Sequence, residues 1–248
     1  GSELVTNGTF DLGSELVTNV GFDTDTWWLK SGANVNISNG KGNFTAGVTE
    51  YFYKPSILTI GKTYKLVFEI TDYTTGYISL FGGSFGDPAL GVGTYERYFT
   101  CAHTTFGLVG NAFVGSIDNV SVKQVDWDLE SSWGVSGGKA VYDAAVQGHY
   151  LKQTLSSISA GETVKIQFDI SDVAAGKTAF LKLEIDGSPE AVFGYTHFSA
   201  GTYTYYHKIT SALNRLNFVP ATSSTGGAFS IDNISVKQVD PNDRWTLG

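Results

Sequence analysis

The chain has 248 residues, 42% of them hydrophobic and 16% charged, with 30 glycines, one cysteine, no methionine and a net charge of -8. That hydrophobic share builds a packed core and excludes a disordered chain. The acidic balance, with no basic run, excludes a partner that must be gripped by its phosphates and argues against docking on an anionic membrane. A single cysteine excludes an intrachain disulfide and a cysteine-based zinc site, and no apolar stretch is long enough to span a bilayer. Without a methionine, and with no signal peptide visible, the sequence reads as processed or as a piece of something longer.

In chain order, ELVTNGTFD at 3–11 is nearly repeated by ELVTNVGFD at 15–23, so two equivalent opening strands follow one another. Residues 1–14 therefore read as an extra N-terminal strand or arm, ahead of a first module at 15–126. Trp27 and Trp28 come next, and neighbours on a strand face opposite ways, so one belongs to the core and the other faces outward. Tyr64, Leu66, Phe68 and Ile70 alternate with Lys65, Val67 and Glu69, the period-two pattern of a half-buried strand. Cys101, in the run Tyr98-Phe99-Thr100-Cys101, reads as a small buried hydrophobe. In SIDNVSVKQVD at 116–126, Ile117 and Val120 are three apart, and a bulge near Asp118-Asn119 would return both to the core.

The second half repeats the first. GETVKIQFDISDVAAG at 161–176 answers GKTYKLVFEITDYTTG at 61–76, and SIDNISVKQVD at 230–240 answers residues 116–126. The offset grows from 100 to 114 between these blocks, so the second copy carries 14 extra residues, expected as a longer hairpin and loop around 177–229. A second module at 127–240 follows, with 241–248 resembling the start of a further repeat. Short alternating strands punctuated by turns indicate β-sandwiches.

The second module has no opening strand of its own: after Asp126 the chain goes straight to Trp127. A sandwich without that strand leaves an unpaired edge, and edges recruit strands. Residues 1–12 are therefore expected to pair with the second module, in their own chain or in a neighbour. Donation to a neighbour would be self-association. The alternative is a linker left from an upstream repeat.

ELVTNVGFDTDTWW (15–28), GKTYKLVFEI and GSIDNVSVKQV resemble the galactose-binding-like jelly-roll modules, which include carbohydrate-binding modules attached to xylanases and cellulases. They look most like the tandem copies found in bacteriophage tail, fibre and capsid-appendage proteins. The resemblance implies an all-β fold of two tandem jelly-roll-like antiparallel β-sandwiches. It also implies a non-enzymatic structural or adhesive role at the virion surface or outside the cell. Alternatives are a carbohydrate-binding module pair from a secreted bacterial polysaccharide-degrading enzyme, or a surface filament protein that polymerises. Some members hold a structural Ca2+, which carried over would involve Asp23 with Asp118, and Asp11 or a neighbour with Asp232; otherwise each aspartate caps amides beside its bulge.

A glycan ligand would need exposed rings, and the candidates are Trp27, Trp28, Tyr51, Tyr53, Tyr73, Tyr77, Tyr203 and Tyr205. The competing reading is that these rings pack the sandwich. Tyr73 is answered by Val173 and Tyr77 by Lys177, so two identical sugar sites are not expected. Glu69, Asp169, Glu184 and Asp186 read as solvated strand faces rather than an opposed catalytic pair. The four histidines lack metal-binding spacing, and no hydrolase or phosphate-loop motif occurs. The chain is expected to be no enzyme.

Overall fold

The computed structural model describes residues 1–82, 88–144, 148–155, 158–185, 191–210, 215–221 and 223–239. Asp186 and the expected repeat start at 241–248 lie outside the described residues. The chain is all-β and forms two compact units. One is Leu12–Val125, and the other joins Gly1–Asp11 to the chain from Asp126 on. Residues 1–11 are thus part of the second sandwich rather than a separate arm, and the first sandwich interrupts the second in sequence.

The first unit contains β1 (Leu29–Lys30), β2 (Val35–Ser38), β3 (Lys41–Phe44), β4 (Glu50–Lys54), β5 (Thr63–Leu80), β6 (Gly93–Thr100) and β7 (Phe106–Val125). β5 and β7 are long because both run through the two layers. The first half of β5 pairs with β6 and with the closing half of β7. The pairing register then slips three times between Ile70 and Tyr77, and the end of β5 pairs with the opening of β7 beside β4. Gly76, at φ 77°, is required at this bend, since a Cβ there would lie 2.2 Å from the Ala112 carbonyl oxygen.

The second unit follows the same path with the two long strands broken. Its strands are β8 (Asp128–Leu129), β9 (Trp133–Ser136), β10 (Lys139–Tyr142), β11 (Leu151–Thr154), β12 (Thr163–Ser171), β13 (Ala179–Ile185), β14 (Ala191–Phe198), β15 (Gly201–Lys208), β16 (Arg215–Pro220) and β17 (Phe229–Gln238). One sheet runs β15-β12-β17-β10-β9 and the other β14-β13-β16-β11-β8. The extra residues enter in two places. Thr63 and Thr163 pair with Thr100 and Lys208, an offset of 108, while the closing strands stand at 114. The first increment carries β14, where the described residues of the first unit show only the bridge between Ile78 and Ala89, and the second falls between Lys208 and Ser230.

The bulge occurs in both copies. Val67 and Glu69 pair with Ser121 and Asp118, and Gln167 and Asp169 pair with Ser235 and Asp232. The closing strand therefore has one residue too many, absorbed by Asn119 and Asn233 at φ 53° and 51°. Asparagine tolerates that left-handed conformation better than a branched residue would. Ile117, Val120, Ile231 and Ile234 are all buried as a result, and Cys101 is buried as a free thiol.

Residues 1–11 complete the second core. Leu4 N donates to Val236 O at 2.8 Å, and Ile234 N donates to Gly8 O at 3.0 Å. Phe10 packs on Trp127 with ring centroids 5.1 Å apart, and the Trp127 indole nitrogen donates to Asn7 O at 2.9 Å. Gln153, buried, donates to Thr6 O and accepts from Thr6 N.

Candidate functional site

The site builds from period-two alternation on β4. Phe52 points into the core and is fully buried, so Tyr51 and Tyr53 stand on the outer face of the sheet, each half-buried. On β7 the residues opposite them are Val109 and Gly107. On the far side of β7, Ser79 also pairs with Val109, and Phe81 N donates to Gly107 O at 2.9 Å. Phe81 therefore reaches the tyrosines across β7. Its ring centroid is 5.0 Å from that of Tyr51 and 6.5 Å from that of Tyr53, with the Tyr53 and Phe81 planes 19° apart. Tyr51 and Tyr53 are 5.3 Å apart.

Gly107 makes this trio possible. A Cβ there would lie 3.0 Å from the Tyr53 Cβ and 3.1 Å from the Phe81 Cβ, so a side chain would wedge the rings apart. Along the same face, Tyr77 is 39% exposed opposite Asn111, whose amide donates to the Ser79 hydroxyl at 2.7 Å. Leu29 of β1, opposite Tyr53, extends the apolar surface. The result is three clustered rings with a polar edge and exposed Tyr77, a surface suited to the apolar face and hydroxyl rim of a sugar.

The other ring candidates are not in this trio. Trp28 is core, with its indole nitrogen donating to Asn19 O at 3.0 Å, and so is no sugar contact. Trp27 is half-buried, set edge-on to Trp28, with Lys54 Nζ 5.2 Å from its ring centroid. Tyr73 is exposed but rests on the core residue Phe113. Tyr203 and Tyr205 face inward from β15 and stack on Phe168 at 5.8 and 6.2 Å. Burial pushes the Tyr205 phenol above its ordinary range, with Tyr203 adding to the rise. Both pack the core edge, and the outward ring on that strand is Tyr206.

The equivalent face of the second unit is charged. Lys152 bonds to Glu130 at 2.9 Å and lies 3.4 Å from Asp128, and Lys182 pairs with Glu184. Glu184 is buried, not solvated as its alternation suggested, because Lys182 on the same strand satisfies it. Asn217, between Lys152 and Glu184 in the sheet, is buried, and no hydrogen bond reaches its Oδ1 among the described residues.

The four aspartates fall into two equivalent places. Asp118 and Asp232 each accept their own bulge amide, from Asn119 and Asn233, at 2.7 Å. Asp11 accepts the Thr9 hydroxyl at 2.7 Å, and Asp23 is exposed. Burial raises the Asp232 carboxyl above its ordinary range, with Asp169 and Asp11 adding to the rise, against the Asn233 amide and Lys139. A raised carboxyl makes the fold lose stability as pH climbs from the ordinary value through the raised one.

Calcium needs six to eight oxygens. Among the described residues no three metal-ligating side chains come together, so backbone carbonyls would have to supply most of any calcium shell. Excess chelator tests the calcium expectation, and an unchanged melting temperature would sink it. A fall of several degrees, abolished in Asp232→Ala, would support calcium as a ligand.

No family model matches the sequence, and no curated protein matches it. Among solved structures, the chain is similar to the N-terminal CBM22-1-CBM22-2 tandem domain from Paenibacillus barcinonensis, at 10% identity and TM-score 0.37, covering 93% of this chain and 98% of that one. It is similar to allantoicase at 9% identity and TM-score 0.38, covering 95% and 92%. It is also similar to a chain of Sulfolobus Turreted Icosahedral Virus at 12% identity and TM-score 0.26, covering 86% and 60%.

Proposed function

We propose that the chain is a non-catalytic glycan-binding adhesion protein, working outside the cell or on a virion surface as bacteriophage appendages do. The observation that carries this reading is the face of Tyr51, Tyr53 and Phe81, held together by the missing side chain at Gly107. Rings stack on sugars without demanding one hydrogen-bond pattern, so such a face suits a polysaccharide surface. The carboxylates support a non-catalytic reading, because they are engaged with neighbours. Asp169 accepts from Thr202 and Asn233, Glu69 accepts from Asn119, and Glu184 pairs with Lys182. The same face would also serve a module pair from a secreted polysaccharide-degrading enzyme, and neighbouring capsid and tail genes would separate the two.

Affinity electrophoresis against a panel of soluble polysaccharides tests the proposal. At least one should retard the chain, and Tyr53→Ala should weaken that binding about tenfold, the usual cost of losing a central aromatic contact. No retardation by any polysaccharide, or equal retardation of the variant with its fold intact, would overturn it.

A further inference from the structure

The seat for an opening strand occurs twice, with matching contacts. In the first unit Glu15 bridges Lys123, Leu16 N donates to Val122 O at 3.0 Å, and Val122 N donates to Glu15 Oε1 at 2.8 Å. In the second unit Glu3 bridges Lys237, Leu4 N donates to Val236 O at 2.8 Å, and Val236 N donates to Glu3 Oε1 at 2.7 Å. Val120 N donates to Val20 O as Ile234 N does to Gly8 O. Phe22 stacks on Trp28 at 5.2 Å as Phe10 packs on Trp127 at 5.1 Å.

The two seats differ in how the strand is tethered. Phe22 and Trp28 are close in sequence, whereas Phe10 and Trp127 are separated by the whole first unit. The second unit thus takes its opening strand as a separate piece. That piece is joined to the next paired residue, Gly13, whose amide donates to Gln124 O at 3.0 Å, only through Leu12. The contacts that seat Gly1–Asp11 depend on its sequence and not on which chain supplies it. Exchanging an identical element between copies keeps every native contact, and a short hinge favours exchange over closure within one chain.

We propose that Gly1–Asp11 is an exchangeable strand, and that the second unit accepts it from another copy of this chain. Each copy then gives one strand and receives one. The contact is head-to-tail, so the assembly closes into a ring, with a reciprocal dimer the smallest case, or grows as a filament.

The test uses the full chain, refolded over about a hundredfold range of concentration and sized by light scattering, because exchange between copies follows mass action. The mass is expected to rise with concentration in whole multiples of the chain. A large excess of synthetic peptide spanning residues 1–12 should return it to the single-chain mass by occupying the seat. A chain that stays at single-chain mass throughout overturns the proposal, and so do assemblies that the peptide leaves intact.

Discussion

Removing residues 1–11 is expected to unfold the second unit and leave the first standing. Phe10 and Val5 are buried, and truncating a buried phenylalanine alone costs about 3–5 kcal/mol. The deletion also strips the acceptor from the Trp127 indole and the two Thr6 partners from the buried Gln153 amide, whose Nε2 keeps only Asp126 O. Each buried polar group left unpaired costs about 1–3 kcal/mol. Together these losses reach most of the ~5–15 kcal/mol that holds an ordinary domain. The first unit keeps its own opening strand, with Glu15, Phe22 and Trp28 in place. Calorimetry should therefore show one of two unfolding transitions vanish. Two transitions unchanged in position and heat would mean that the segment adds nothing to the second sandwich.

Phe168→Ala should be the most damaging single substitution in the second unit. The ring is fully buried and meets Phe218 at 5.2 Å, Tyr203 at 5.8 Å, Phe198 at 6.0 Å, and Phe193 and Tyr205 at 6.2 Å. Stiff rings on the surrounding strands collapse poorly into a cavity, so the cost should approach the upper end of ~3–5 kcal/mol. Phe68→Ala, at the matching position of the first unit, should fall in the same range. Urea unfolding followed by tryptophan fluorescence measures both. A loss below ~1 kcal/mol in each would mean that these strands face the other way.

Duplication made the architecture readable. Two copies of the same strand blocks indicated two sandwiches, and the three-residue step from Ile117 to Val120 required the bulge that both closing strands carry. The absence of an opening strand before Trp127 was legible in the same way. Side-chain facing was harder wherever both faces of a strand are aromatic. On β15, Tyr203 and Tyr205 alternate with Thr204 and Tyr206, and period two divides the rings without saying which set is inside.

Phe81 was missed for a different reason. Period two counted from Phe68 through Ile70, Ile78 and Leu80, all buried, puts it outward with Tyr77 and Ser79, but its meeting with Tyr51 and Tyr53 depends on pairing across β7, which is visible only as a contact. Glu184 was misread because alternation places it on the outer face, where carboxylates are usually solvated. The strand neighbour that lets it be buried, Lys182, is visible only as a contact.

The most direct test of the glycan-binding face is residue-resolved NMR of the full chain, titrated with an oligosaccharide cut from the best-retained polysaccharide. Shifts should concentrate on the amides of Tyr51, Tyr53, Phe81, Gly107 and Val109, and the Tyr51, Tyr53 and Phe81 ring protons should move upfield or broaden as a sugar stacks. Shifts centred on Tyr203, Tyr205 and the rest of β15, or no saturable shifts at all, would contradict it.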